Sequence, residues 1–187
     1  MAQYNGYVSV NHATYADWRQ ATLGNGYNVD GMYGNQCWDF CALLWWQYGL
    51  TLYTRPGGGT AEDCWTVSRA LNSVTPFTSV YNKSEILQGD VIVFAGTTQY
   101  PTGHIAFANE DYNGTNSIEC LGQHQGGAGQ NDPSNLATLN LVNFLGAFRN
   151  MNWTNVPPSP PTPPSGTGEK RKFPWAIAWA HWDGFKN

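Results

Sequence analysis

The sequence is poor in charge and contains no long apolar run. Charged residues make up only 12% of the 187 positions, and the formal net charge at pH 7 is −4. Domains that bind nucleic acid carry a clustered basic surface, so this balance argues against a nucleic-acid partner. No apolar stretch approaches the roughly 20 residues that span a bilayer, and the first residues lack the basic and apolar regions of a secretion signal. We therefore expect neither a transmembrane segment nor a signal peptide.

Cysteine is also scarce, with four residues at positions 37, 41, 64 and 120. Without a signal for export, free thiols are expected rather than disulfides. The spacing argues against structural zinc, because Cys37 and Cys41 are one helical turn apart and no second close pair follows. Cys41 and Cys64 lie on apolar helical faces, so both are predicted to be small core residues.

Aromatic side chains are abundant, at 14% of the chain, and nine of them are tryptophans. Residues 1–153 are long enough for one good core and form the predicted globular domain. A Pro-rich and then Gly/Ser-rich linker is predicted at 154–168, followed by a short Trp-rich tail at 169–187. The tail is too short for a core of its own. Docking on the main domain, contact with a partner or an envelope surface, and disorder all stay open for it.

The predicted secondary structure places helices before strands. Three helices are predicted, at 13–23, 37–48 and 60–72. Four strands are predicted, at 90–94, 104–109, 117–121 and 141–149. The sequence from Asp111 to Thr115 is typical of a hairpin turn between the second and third strands. Helices followed by an antiparallel sheet indicate an α+β fold.

Cys37 has the sequence surroundings of a nucleophile. It follows a Gly-Asn-Gln turn and precedes an apolar run whose large residues recur at helical steps. In the first turn of that helix, free backbone N–H groups and the helix dipole favour a thiolate.

A cysteine nucleophile needs a nearby imidazole and a group that orients the imidazole. His104 begins the strand HIAFA, and Glu119 lies on the next strand of the predicted hairpin. Residues on one face of a hairpin lie side by side, so we expect Glu119 to accept a ring proton from His104. A lone histidine is often only structural, but His104 together with Cys37 and Glu119 favours a thiol hydrolase.

At these segments the chain resembles the CHAP family, the cysteine- and histidine-dependent amidohydrolase/peptidase domains common in phage endolysins and bacterial wall hydrolases. The matching segments follow the family's order between about residues 11 and 150: YGNQCWD, QGDVIVF, GHIA and the pair Ile118-Glu119. The resemblance implies a papain-like fold that hydrolyses amide bonds of peptidoglycan. It also implies Cys37 as the nucleophile, His104 as general base and acid, and Glu119 as the residue that orients His104.

The chain departs from the family at one position. Many relatives carry Asn two residues after the Glu, whereas Leu121 stands here. Gln123, which shares a face with Glu119 if the strand continues, and His124 are the candidates for that polar role. Gln36, just before the nucleophile, either contributes to an oxyanion hole with the Cys37 N–H or simply caps the helix.

The loop before Cys37 also has the ligand spacing of a calcium loop. Counting from residue 28, positions one, three, five, seven and twelve are Asn28, Asp30, Met32, Gly34 and Asp39. Tyr33 stands where an EF-hand requires glycine, so the loop is not a true EF-hand. Some CHAP endolysins that the chain resembles bind calcium here, and the resemblance implies that these five residues hold Ca²⁺. A turn without metal is the alternative.

The combined prediction is a phage endolysin-like peptidoglycan hydrolase, acting as a monomer. It would be an N-acetylmuramoyl-L-alanine amidase or an endopeptidase, since the motifs do not separate the two. The expected route is from the host cytoplasm to the wall by holin-type release. The alternatives are a non-catalytic wall-binding module with an unreactive Cys37, and an NlpC-type cysteine peptidase.

Overall fold

The computed structural model describes residues 3–4, 7–8, 11–55, 59–71 and 76–154. Three helices lie in these ranges: α1 (Tyr15–Thr22), α2 (Cys37–Gln47) and α3 (Asp63–Leu71). The strands are β1 (Gln3–Tyr4), β2 (Tyr7–Val8), β3 (Phe77–Val80), β4 (Val91–Phe94), β5 (His104–Ala108), β6 (Ser117–Gly122), β7 (Asn135–Asn140) and β8 (Phe144–Asn150). Apart from Thr154, the predicted linker at 154–168 and tail at 169–187 lie outside the described residues.

The strands form one six-stranded antiparallel sheet beside a small β1–β2 pair. The order in the large sheet is β3-β8-β4-β5-β6-β7. The predicted α+β class is confirmed, and the four predicted strands correspond to β4, β5, β6 and β8. Strands β3 and β7, the two edge strands of the sheet, were not predicted from the sequence. Most side chains of β7 are only partly buried or exposed, so its sequence, NLATLN, lacks the apolar run of a central strand.

Acidic residues in the first turns determine where α2 and α3 begin. The Asp39 carboxylate accepts the Gln36 backbone N–H at 3.1 Å, and Asp63 accepts the Thr60 N–H at 2.9 Å. Both bonds satisfy a backbone donor that has no partner within the helix. The third helix begins three residues later than predicted, at Asp63, whose carboxylate caps the Thr60 N–H.

Helix α2 lies at the centre of the core between the loops and the sheet. Its side chains are apolar and buried nearly all round, so it contacts the protein on most sides rather than on one stripe. Phe40 packs edge-on against Phe107 of β5, with ring centroids 5.4 Å apart. Trp45 stacks on Phe77 of β3, with a centroid distance of 4.0 Å. These contacts fix α2 across the sheet and place its first residue near one end of β5.

The two faces of the sheet belong to different clusters. On β5, Ile105 and Phe107 pack in the cluster that contains the helices, whereas Ala106 and Ala108 pack in the cluster on the opposite face. The strand alternation assigns His104 to the same face as the two alanines. Among the described residues, no helix has the length and apolar character needed to cross a membrane.

Candidate active site

Cys37 is the first residue of α2, and its side chain is almost completely buried, at 8% exposure. Burial raises the pKa of the Cys37 thiol to about 11, although hydrogen bonding from the backbone N–H groups of Ile105 and Trp38 acts in the opposite direction. The backbone N–H groups at the start of α2 favour the thiolate, as the sequence predicts, but desolvation of the buried sulfur outweighs them. All four cysteines are free, as predicted, and the predicted burial of Cys41 and Cys64 is confirmed; Cys37 and Cys120 are buried as well.

His104 opens β5 directly after Gly103, whose φ of 75° turns the chain into the strand. Its imidazole is 2% exposed and stacks on the Tyr100 ring, with centroids 4.7 Å apart. The ring Nε2 lies 3.0 Å from Oε1 of Gln125. Burial lowers the pKa of His104 to about 4; the Gln125 hydrogen bond raises it and the nearby His124 lowers it further. The imidazole is therefore neutral at physiological pH.

The structure brings Cys37 and His104 to the same end of β5. The Cys37 sulfur interacts with the backbone N–H of Ile105, and His104 immediately precedes that residue in the strand. Within the described part of the chain, no hydrogen bond joins the thiol to the imidazole. Catalytic hydrogen bonds are often long before substrate binds, so the lack of a hydrogen bond between the thiol and the imidazole is compatible with a catalytic pair.

Glu119 is not beside His104, so the expected contact between these two residues is wrong. The β5–β6 register pairs Phe107 with Leu121, and the Asn109 N–H donates to the Glu119 carbonyl oxygen. The Glu119 carboxylate accepts a hydrogen bond from the Asn109 side chain at 2.5 Å. The physical reason is the hairpin itself: Glu119 lies near its closed end, whereas His104 lies at its open end.

Gln125, which the sequence analysis did not select, is the residue that contacts the imidazole. It follows β6, just before Gly126 and Gly127, both of which have positive φ values, 63° and 86°. A side chain beyond the end of a strand no longer follows the period-two alternation that the sequence analysis relied on. The only signal was the cluster of polar residues, Gln-His-Gln, just after an apolar strand.

The Gln123 side chain is buried and contacts the loop that precedes Cys37. Its Nε2 donates to the carbonyl oxygens of Tyr27 at 2.9 Å and Gln36 at 3.0 Å, and its Oε1 accepts the Tyr27 N–H at 2.7 Å. Gln123 therefore fastens this loop to the end of β6 and makes no hydrogen bond to His104. Its predicted role as a replacement for the family's Asn beside the imidazole is not met in this geometry.

Gln36 occupies the N-cap position of α2, where the capping interpretation places it. Its Nε2 donates to the Tyr33 carbonyl oxygen at 2.7 Å. That amide is occupied by the loop in this structure, and a contribution of Gln36 to an oxyanion hole stays a prediction.

Asp39 organises the loop in which calcium binding was predicted. Its carboxylate is fully buried. Oδ1 accepts the backbone N–H groups of Val29 at 2.8 Å and Asp30 at 3.2 Å. Oδ2 accepts the backbone N–H of Gln36. Burial raises the pKa of Asp39 to about 7, the three backbone hydrogen bonds lower it, and the nearby charge of Asp30 raises it further. The Asp30 carboxylate in turn accepts the Met32 N–H at 2.7 Å.

The donor set of this loop fits calcium in its chemistry. Two carboxylates, Asp30 and Asp39, are close enough to interact electrostatically, and Asn28 adds a side-chain amide to the same loop. Met32 and Gly34 can contribute only backbone carbonyl oxygens, which are ordinary calcium ligands. Within the described ranges, no three His, Cys, Asp or Glu side chains cluster as metal ligands, so amides and carbonyls would have to complete the shell.

A cavity of about 430 Å³ opens beside His104. Tyr100, Thr138 and Asn140 line it with the imidazole, and the lining includes no charged side chain. The cavity therefore suits a neutral polar group rather than an ion.

Comparison with known proteins identifies a family and related proteins. The family model described as CHAP domain matches residues 23–124. A D-alanyl-L-alanine endopeptidase of Streptococcus phage B30 is 33% identical over 149 residues, which are 77% of this chain and 32% of that protein. The chain thus spans about a third of that relative's length. The crystal structure of a wild-type endolysin, LysIME-EF1, matches with a TM-score of 0.58 and 19% identity, over 74% of this chain and 65% of the other; this likeness establishes the fold alone.

Proposed function

Because this chain belongs to the CHAP domain family, we propose that it hydrolyses amide bonds of bacterial peptidoglycan through a Cys37 nucleophile and a His104 base. The observation that supports this proposal is the interaction of the Cys37 sulfur with the Ile105 backbone N–H, one residue from His104 at the start of β5. Cys37 is held there by the first turn of α2, and His104 by the first residue of the strand.

The two groups start as a neutral pair, since the pKa of Cys37 is raised to about 11 and that of His104 is lowered to about 4. The thiol therefore transfers its proton to the imidazole as the sulfur attacks the substrate carbonyl carbon. Backbone N–H groups at the start of α2 stabilise the oxyanion that forms. The imidazolium protonates the departing amine, and the C–N bond breaks to give a thioester. His104 then takes a proton from water as the water oxygen attacks the thioester carbonyl carbon. The C–S bond breaks to release the acid, and the imidazolium returns the proton to the Cys37 sulfur.

The scissile bond we propose is a peptide bond, so the activity is that of an endopeptidase. The relative from Streptococcus phage B30 is described as a D-alanyl-L-alanine endopeptidase, and the uncharged cavity beside His104 is compatible with a peptide substrate. An N-acetylmuramoyl-L-alanine amidase is the second candidate. As for other endolysins, we propose that the protein reaches the wall from the cytoplasm of an infected host.

Calcium binding is a separate proposal for the loop before α2. Asn28, Asp30 and Asp39 would supply side-chain oxygens, and Met32 and Gly34 would supply carbonyl oxygens. A bound cation would offset the repulsion between the Asp30 and Asp39 carboxylates and thereby order the loop next to Cys37. Calcium would act on structure and take no part in the proton transfers.

The deciding experiment measures release of soluble fragments from purified peptidoglycan, with mass spectrometry of the new termini. The wild type is compared with Cys37→Ala and with Cys41→Ala, a control that removes a buried thiol one turn further along α2. Release by the wild type and Cys41→Ala, but not by Cys37→Ala, is expected. A new peptide amine and carboxyl would identify the endopeptidase, and a freed lactyl carboxyl would identify the amidase. Binding without release by the wild type on several wall types would instead support a non-catalytic module.

A further inference from the structure

The imidazole of His104 is paired with a neutral amide, not with a carboxylate. Its Nε2 lies 3.0 Å from Gln125 Oε1, and both side chains are almost fully buried, at 2% and 1% exposure. Glu119, the acid that the family pattern suggested, is bonded to Asn109 instead.

The surroundings of Gln125 fix which end of its amide faces the ring. The amide nitrogen donates to the Cys120 carbonyl oxygen at 2.9 Å and to the Asn135 carbonyl oxygen at 3.0 Å. These two bonds use both amide hydrogens, and turning the amide over would place its oxygen against two carbonyl oxygens. The Asn135 side chain also donates to the Gln125 backbone carbonyl at 3.1 Å. The amide oxygen must therefore be the atom that faces the ring.

An amide oxygen can only accept a hydrogen bond, so the ring nitrogen facing it must carry the proton. A neutral imidazole has one proton, which leaves a lone pair on the other nitrogen, Nδ1. We propose that Gln125 is the positioning residue of the site: it holds His104 as the Nε2–H tautomer and thereby makes Nδ1 the base that deprotonates Cys37. The catalytic part of this inference rests on the proposed function.

The other groups around His104 supply no negative partner for the ring. Tyr100 stacks on it, and His124 disfavours a second positive charge nearby. Glu62 lies close to Gly103 through its Cβ, and its carboxylate accepts the Gly96 N–H at 2.7 Å. Within the described residues, Gln125 thus makes the only hydrogen bond to the imidazole.

Nitrogen-15 NMR of the histidine rings tests the tautomer without any substrate. The chain has four histidines, so the His104 signal is assigned by comparison with His104→Gln. We expect Nε2 protonated and Nδ1 unprotonated at pH 7 in the wild type. A proton on Nδ1 instead would overturn the assignment of Gln125, whether or not the protein hydrolyses peptidoglycan.

Three variants separate positioning from simple structural support. Gln125→Glu places a carboxylate against the ring, so the His104 pKa should rise by at least one unit and the acidic limb of the kcat profile should move with it. Gln125→Leu should lower kcat at least tenfold with little change in KM, and should lose the single-tautomer spectrum. The matched control is Gln123→Leu, which removes an equally buried amide with three hydrogen bonds but no contact with His104. It should leave the His104 tautomer and pKa unchanged.

A His104 pKa that is the same in folded Gln125→Glu and in the wild type would contradict the proposal. A change of the His104 pKa in Glu119→Gln as large as that in Gln125→Glu would also contradict it. Thermal unfolding of each variant establishes that it is folded, and the wild-type tautomer decides the question if Gln125→Glu does not fold. Expected NMR results without wall hydrolysis by the wild type would refute the proposed function and leave the role of Gln125 in fixing the tautomer supported.

Discussion

The Cys37 sulfur and the Ile105 backbone N–H interact across the junction between α2 and β5. This interaction holds the Cys37 sulfur against the backbone of Ile105, the strand residue that follows His104. It needs no side chain other than that of Cys37. Because the donor belongs to the backbone, the contact depends on where β5 begins. Residues that determine this start therefore control the geometry of the site without touching the substrate.

Gly103 is such a residue, and Gly103→Ala should destabilise the protein and misplace His104. The φ of Gly103 is 75°, and an added Cβ would lie 2.7 Å from both the Glu62 Cβ and the Phe94 carbonyl oxygen. The left-handed backbone alone costs an alanine about 1–2 kcal/mol, and the crowding adds about 1–3 kcal/mol. Urea unfolding measures the loss. Gly114→Ala is the matched control, since its φ is 86° but its Cβ would meet nothing within 4 Å. Equal losses in the two variants would show that crowding at Gly103 is unimportant.

Protonation of His104 should destabilise the fold as the pH falls. Burial lowers the folded-state pKa from 6.5 to about 4, so the unfolded chain binds the proton more tightly. Stability from this group is complete above pH 6.5 and is lost as the pH falls toward 4, by on the order of 3 kcal/mol.

Urea unfolding at pH 7 and pH 4 gives the free energy of unfolding that the wild type and His104→Gln each lose on acidification. The loss in the wild type minus the loss in His104→Gln is the contribution of His104. His124→Asn is the control because it keeps the burial of His104, which is the main cause of the lowered His104 pKa, and removes only a smaller contribution. Asn also tolerates the left-handed backbone of position 124, where φ is 52°. If His104→Gln loses as much stability as the wild type over this range, His104 is not a buried neutral imidazole.

The sequence predicted the centre of the fold better than its edges. Helix α2 and strands β4 and β5 are buried on nearly all sides, so their apolar runs reveal them directly. The edge strand β7 has an exposed face with polar residues, and no local pattern separates it from a loop.

The parts of the site whose geometry depends on local sequence were predictable. The parts whose geometry depends on the register of the strands were not. Cys37 and the loop before it follow from a helix start, which is a local feature. The predicted pairing of Glu119 with His104 depended on the register of the hairpin. The actual register places Asn109, not His104, beside Glu119. Gln125 reaches the ring only because the chain turns back after β6, and no strand period predicts that turn.

Calcium should stabilise the wild-type protein if the loop before α2 binds it. A ligand at one hundred times its Kd adds about 2.7 kcal/mol to the free energy of unfolding, so Tm should rise by several degrees. Asp30→Asn should remove most of this rise, because it deletes one of the two carboxylates of the loop.

Differential scanning calorimetry with calcium and with excess chelator measures the effect, and isothermal titration gives the affinity. Asp17→Asn, in the first turn of α1, removes an equal charge outside the loop and should keep the full calcium response. A wild-type Tm that is the same in calcium and in chelator would contradict calcium binding.

The ion pair between Asp90 and Arg149 should contribute to stability far more than a surface pair. Arg149 donates from Nε and Nη2 to the two Asp90 oxygens at 2.9 and 2.8 Å, and the Asp90 side chain is 2% exposed. Arg149→Met leaves that carboxylate buried with no cation, which costs about 3–5 kcal/mol. Arg55→Met is the comparison: its partner Asp63 is also buried, at 6% exposure, but the Arg55 side chain is 73% exposed and its charge is screened by solvent, so its loss should cost less than the loss of Arg149.

The double variant Asp90→Asn/Arg149→Met tests the cause of that loss. If the destabilisation comes from an uncompensated charge, neutralising Asp90 should recover a large part of the stability that Arg149→Met loses. If instead it comes from lost packing of the Arg149 side chain, the double variant should be at least as unstable as the single one. Chemical unfolding of the wild type, Asp90→Asn, Arg149→Met and the double variant gives the coupling free energy. Recovery is the expected outcome because, among the described residues, the Leu87 N–H is the one hydrogen-bond donor that the Asp90 carboxylate keeps in Arg149→Met.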